Sequence, residues 1–164
     1  EIGRIADGWV PTFWPYEHFD DGIALLREGA KAAGRDAGKI ELAPFLGVVP
    51  LEDAAMARSM IKPLVAFYIG GMGVYYHALF CKYGFKENAD LVRDLYNTGK
   101  RREAAAAVGD DLIDAIAVCG PPEYCREKLA DWRRHGVGTP LLNLPVGAPP
   151  EVTEMLLRAM APGH

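Results

Sequence analysis

Cysteine is scarce in this chain. Its three residues, Cys81, Cys119 and Cys125, are odd in number and lack the paired spacing of a zinc site or a redox motif. That argues against a disulfide scaffold and fits free thiols in a reducing cytoplasm. A basic excess is also missing: Lys and Arg total 18 against 22 Asp and Glu, for a formal charge of −4 and a pI near 5.6. Nucleic acid usually demands a basic face, so it is not an expected partner. The longest basic runs, Lys100 to Arg102 and Arg133 to Arg134, are short and read as solvated helix ends. No apolar run approaches the ~20 residues needed to span a bilayer, and no charged-then-apolar leader opens the chain. Neither membrane nor secretion is expected. Internal repeats, low-complexity tracts and linkers are absent as well. What remains is the composition of one ordinary globular domain, with 164 residues, half of them apolar and a quarter charged.

Strand and helix patterns alternate along it. "DGWVP" is a short apolar run bounded by the turn pair Asp7-Gly8 and by Pro11, which favours a buried strand. From about Tyr16 to Ala33, Phe19, Ile23, Leu26 and Ala30 recur at helical spacing, with Gly34 as the stop. Ile40 to Val49 reads as a strand covered on both faces. Pro44 inside it predicts a bulge or irregular pairing, because proline lacks the donor a ladder needs. Leu51 to about Gly70 is helical, with Glu52 and Asp53 where the helix dipole favours acids. A short helix follows in "VYYHALFCKYGF", then two more parted near Thr98-Gly99, another from Asp110 through Ala117, and a well-punctuated helix after Pro121-Pro122 for which Gly136 and Gly138 supply the stop. "TPLLNLPVG" is the third strand candidate. Strands separated by helices imply a parallel sheet. Three strands make a poor one, with open edges, so either upstream residues or a second copy is expected to complete it. The opening "EIGRIA" reads as a helix end, as if the chain began inside a larger fold.

The run "GGMGVYYH", Gly70 to His77, fails the tests for a nucleotide loop. Gly71-Met72-Gly73 supplies two of the three glycines, but no strand precedes them, no ribose-binding acid follows, and the phosphate-loop lysine is missing. It reads as a helix-to-helix corner. His77 and Cys81 stand four apart on one helical face, a possible pair of metal ligands, yet no carboxylate or second histidine at suitable spacing completes a site, so no metal is expected.

"EIGRIADGWVPTFWPYEHFDDGIALLREGAKAAGRD", "IELAPFLGVV", "FYIGGMGVYYH", "YGFKENADLVRDLY", "EAAAAVGDDLIDAIAVCGPPEYCREKLADWRRHGV" and "PLLNLPV" together resemble the luciferase-like monooxygenase superfamily. The match is to its F420-dependent oxidoreductase branch, the relatives of methylenetetrahydromethanopterin reductase. The resemblance implies the C-terminal half of a (β/α)8 barrel, read over residues 1–164 as a single partial α/β domain of about three parallel strands. Its helical insertion, 51–117, would follow the second strand near the barrel mouth. It also implies hydride transfer between a deazaflavin, coenzyme F420, and a small organic substrate. FMN with a monooxygenase reaction is the alternative, and a non-catalytic module that self-associates through open sheet edges is another. Family catalytic positions would lie upstream of this chain.

In such a barrel, function collects at the C-terminal ends of strands. The resemblance therefore marks Trp9, Phe45 and Gly47 as cofactor-binding candidates. Phe13, Tyr68, Gly71, Met72, Tyr76 and His77 are the substrate-binding candidates. Core packing is the competing reading for the aromatics, and tight packing for Gly47. Asn143 to Pro145 is a third end-of-strand position. His77 could also serve as a proton donor. The expected partners are a small-molecule substrate and either a second copy of the chain or the missing barrel half.

Overall fold

The computed structural model describes residues 1–143, 147 and 150–161. The chain opens on a helical turn, α1 (Ile2–Ile5), and β1 (Gly8–Trp9). A 3₁₀ turn at Tyr16–His18 leads into α2 (Phe19–Ala32), followed by β2 (Glu41–Leu42) and β3 (Phe45–Pro50). A helical series comes next: α3 (Ala54–Gly71), α4 (Tyr75–Lys82), α5 (Lys86–Asn97), α6 (Arg101–Ala107) and α7 (Asp110–Ile116). The chain then returns through β4 (Ala117–Gly120), α8 (Pro122–Arg134), β5 (Leu141–Asn143) and α9 (Pro150–Met160). Of the third strand candidate only the first part can be followed, because Leu144 and Pro145 lie outside the described residues, as does His164.

All strand pairings are parallel. Phe45 pairs with both Thr12 and Leu141, and Gly47 with both Ala117 and Asn143. A strand residue has one neighbour on each side, so β1 with its extension to Thr12 and then β4 lie end to end along one side of the β2–β3 line. β5 lies along the other. The α/β class and parallel strands are as expected, and the described residues form no closed barrel. The strand β4 was not expected: "AVCG" follows a helix without a turn signal, and the reading of a helix through Ala117 absorbed it. Its burial on both faces, Val118 on one side and Cys119 on the other, fixes it as a strand.

Pro44 does not disrupt pairing with β1. The amides of Glu41, Ala43 and Phe45 donate to the carbonyls of Asp7, Trp9 and Pro11 at 2.8, 3.0 and 2.8 Å. Donors alternate along a strand, so the N–H that Pro44 lacks belongs to the β5 side, where its carbonyl accepts from the Leu141 amide at 2.9 Å. The expected irregularity takes the form of a break between β2 and β3 at Ala43-Pro44, with a donor missing on the β5 side.

Two apolar layers sandwich the strands. Leu46, Val48 and Val118 pack with Phe19, Ile23, Cys125 and Trp132 under α2 and α8. On the opposite face Val49 and Cys119 join Ile61, Val65, Ile69 and Val92 of the helical series. Asp53 caps α3, accepting from the amides of Ala55 and Met56 at 3.0 Å. No acidic residue occurs between Asp53 and Glu87, and the cations of α3 find theirs on α7. Arg58 makes a bidentate pair with Asp114 at 2.7 and 3.0 Å, and Lys62 meets Asp110 at 2.6 Å. Among the described residues no single helix is long and apolar enough to cross a membrane, and α3 and α4, apolar together, bend by 108° at the glycine run.

Candidate functional site

Just beyond the C-terminal end of β1 the backbone takes an uncommon turn. Phe13 has φ +55°, the one positive φ at a non-glycine among the described residues. That turn swings its ring out of the strand layer and into the helical layer, where it is 3% exposed. It meets Tyr68 edge to face at 4.8 Å, and Tyr76 at 6.1 Å. Tyr68 and Tyr76 meet each other at 4.7 Å. Three of the substrate candidates therefore form one aromatic triad, from the bend after β1, from α3 and from α4, at the C-terminal ends of parallel strands. Both tyrosines are half-buried. Burial, and after it the neighbouring Tyr68, push the Tyr76 hydroxyl above its ordinary pKa, and the Thr12 side chain beside it works the other way. The triad offers rings and hydroxyls, and no charge.

The corner between α3 and α4 is built by its glycines. A Cβ on Gly70 would stand 2.4 Å from Cβ of Tyr96, so α5 approaches there only because Gly70 has none. Gly71 lies under the Phe67 ring, and Gly73 takes φ +78° to turn the chain. Gly71 thus acts through packing, and Met72 is exposed beside it rather than gathered into the triad.

His77 is turned toward α5. Its Nδ1 lies 3.1 Å from the Arg93 guanidinium, which can only donate, so Nδ1 accepts and the proton sits on Nε2, donating to Asp90 at 2.7 Å. Lys86 and Arg93 also bind Asp90. Lys86, and next to it His77, hold the Asp90 carboxyl below its ordinary pKa. The expectation that no carboxylate joins His77 and Cys81 is corrected here: Asp90 comes from the next helix, and ligand atoms of the three lie within 4.8 Å of one another. Their chemistry is nevertheless that of an ion-pair latch. Asp90 already receives three donors, and a metal on Nε2 would push the proton to Nδ1, against the Arg93 N–H. As a proton donor to substrate, His77 is likewise committed elsewhere.

The cofactor candidates separate. Trp9 is 8% exposed, stacked on Phe19 at 5.2 Å with its indole against Gly22 of α2, and what it still shows lines a cavity with Ile2, Trp14 and Leu25, on the α1–α2 side and away from the triad, so it serves packing. At Gly47 the space a side chain would take is filled by Ile61, whose Cδ1 would be 2.8 Å from a Cβ, and no ligand has room there. Phe45 alone remains available. By alternation it shares the side of Gly47 and Val49, yet it is half-buried and belongs to neither core. One aromatic ring does not make a deazaflavin site, so these candidates do not fit the cofactor as a set.

A family profile described as luciferase-like monooxygenase matches residues 1–139. The chain belongs to the luciferase-like monooxygenase family. It is 33% identical over 145 residues to a protein of Mycobacterium tuberculosis named as a coenzyme F420-dependent oxidoreductase, covering 82% of this chain and 40% of that one. Its fold superposes on the coenzyme F420-dependent tetrahydromethanopterin reductase of Methanopyrus kandleri with a TM-score of 0.72 at 23% identity, over 96% of this chain and 45% of that one. An F420-dependent secondary alcohol dehydrogenase gives a TM-score of 0.65 at 16% identity, over 97% and 44%. At these identities the two superpositions speak for the fold alone. The chain spans less than half the length of these relatives.

Proposed function

We propose that the chain is the C-terminal portion of an F420-dependent oxidoreductase that transfers hydride between the deazaflavin and a small organic substrate. In this reading 51–117 is the family's insertion at the barrel mouth, and its aromatic triad forms part of the substrate wall. The observation that carries it is the family match over residues 1–139, taken with relatives named for F420. The placement of the triad at the C-terminal strand ends agrees, since parallel α/β sheets bind their ligands there. Because Trp9 and Gly47 are occupied by packing, the cofactor ring would rest on strands outside this chain. A hydride donor must be held close to its acceptor by a completed site, so the chain alone is expected to show no turnover.

The side of the strands that carries Phe45 supports the same reading. Val10 and Leu141, which alternation places on that side, are 55% and 38% exposed. An apolar sheet face of this kind calls for a cover, and the missing barrel half would supply it. The test is to extend the reading frame to the relatives' length and follow F420 absorbance with candidate alcohols and ketones. Turnover with F420 supports the proposal. Oxidation of reduced FMN in its place would assign the protein to the monooxygenases, and a stable dimer of the present chain that hides Val10 and Leu141 would favour the self-associating module.

A further inference from the structure

A cavity of about 260 Å³ opens at the N-terminal end of β2, opposite the triad, between α2, β2 and the turn after α8. Ile23, Leu26 and Arg27 reach it from α2 at helical spacing, and Ile40 and Leu42 alternate onto the same side of their strand. Four apolar side chains thus make its floor, and the exposed Arg27 stands at its rim. No acid among the described residues lies within ion-pairing distance of Arg27. The acids nearby are engaged or turned away. Asp20 meets His135 Nδ1 at 3.0 Å, and Asp36 accepts from the Gly38 amide at 2.9 Å. Glu41 belongs to the other side of β2, where its Oε1 would stand 2.7 Å from a Cβ on Gly138. Glu28, next along α2, points about 100° round the helix. One turn beyond Arg27 on its own face stands another cation, Lys31.

We propose that this cavity binds a small organic carboxylate, with its apolar part on Ile23, Leu26, Ile40 and Leu42 and its two oxygens on the Arg27 guanidinium. The planar fork of arginine matches a carboxylate, and the apolar part gains by leaving water for the floor. Charge complementarity selects an acid over a neutral ligand, and the floor selects an organic acid over an inorganic anion. The volume lies below the ~300–1,000 Å³ of drug-sized sites, so one ring or a short chain fits. The site shares no residue with the triad and stands apart from the oxidoreductase reading. A ligand there braces α2 against β2 and the turn after α8.

The probe is phenylacetate, with phenylacetamide as its uncharged match and inorganic phosphate as an anion without a ring. Titration of the chain, followed by methyl NMR, should give saturable shifts at Ile23, Leu26, Ile40 and Leu42. A ligand of about ten non-hydrogen atoms should bind with a dissociation constant of roughly millimolar or tighter. Phenylacetamide should bind at least about tenfold more weakly, and Arg27→Gln should bring phenylacetate down to the same level. Arg27 is exposed, so its replacement leaves both cores intact, and the remote Arg102→Gln should change nothing. Equal binding of acid and amide, phosphate competing as well as phenylacetate, or binding that survives Arg27→Gln would each overturn the proposal. So would shifts gathered at Phe13, Tyr68 and Tyr76 instead, or a titration that never saturates.

Discussion

Phe13 and Tyr68 meet edge to face, their ring planes at 87° and centroids 4.8 Å apart, although one lies in the bend beyond β1 and the other near the end of α3. This contact ties the sheet to the helical series that stands over its C-terminal ends. A residue held at positive φ needs surroundings that over-determine it, and the packing of the ring supplies them.

Replacing Phe13 with Ala should therefore cost about 3–5 kcal/mol of stability, the range for removing a buried aromatic, read by chemical denaturation. Phe13→Gly loses the same ring but relieves the left-handed backbone. It should be no less stable than Phe13→Ala, the reverse of the usual order for these residues. If glycine is the worse by ~1 kcal/mol, the strain argument fails.

The corner glycines should differ in tolerance. Gly70→Ala drives a methyl into Cβ of Tyr96, which moves only with the α5 backbone. Gly71→Ala meets the edge of the Phe67 ring at 2.8 Å, and that ring is 40% exposed and free to swing away. Overpacking of a fixed neighbour costs about 1–3 kcal/mol, so thermal melts should rank Gly70→Ala clearly below Gly71→Ala. At Gly47 the obstacle is the tip of Ile61, and Ile61→Val should recover much of the loss caused by Gly47→Ala.

Thiol titration should find one reactive cysteine in the native protein. Burial is the main force pushing the Cys119 thiol up to about 12 and the Cys125 thiol up to about 11, and Cys125 donates to the Gly120 carbonyl at 3.4 Å. Only Cys81, partly exposed, should react with a disulfide reagent at pH 8, and all three after unfolding. A second fast-reacting thiol would contradict the burial of the sheet.

Acid should loosen the clamp between α3 and α7. The hydrogen bond from Lys62 holds the Asp110 carboxyl below its ordinary pKa in the folded state. Its contribution to stability is thus present above the unfolded value of ~3.9 and is lost as pH falls through the depressed one. Asp110→Asn should be less stable than the native chain at pH 7, with the difference closing at strongly acidic pH in a series of urea melts. A difference that persists unchanged to pH 2 would show that the pair is not its source.

Zinc should not stabilise the latch at His77, Cys81 and Asp90. Ligand at 100-fold its dissociation constant adds about 2.7 kcal/mol, a rise in melting temperature of several degrees. No such shift is expected with zinc at micromolar concentration, and its appearance would overturn the ion-pair assignment.

Much of the fold was legible because its signals are local. The spacing of Phe19, Ile23, Leu26 and Ala30, the acids at Glu52 and Asp53, the break at Gly99 (φ +81°) and the stop at Gly136 (φ +84°) each act within a turn or two of chain. The strand β4 was hidden since a short apolar run after a helix has no period of its own. The two-sided burial that makes it a strand comes from α8 on one face and the helical series on the other. Asp90 was missed for the same reason: α4 and α5 bring it to His77, and no sequence spacing marks it.

By itself the sequence determined the alternation of helices and strands up to α7, the glycine corner, the family resemblance and the aromatic character of the candidate site, for these depend on neighbouring residues and composition. Only the tertiary structure decided which candidates are free. It spent Trp9 and the space at Gly47 on packing, gathered Phe13 with Tyr68 and Tyr76, tied His77 to Asp90, and left Phe45 outside both cores. The physical reason is that availability depends on which distant side chain fills the space beside a residue, and that is settled when sheet and helices pack.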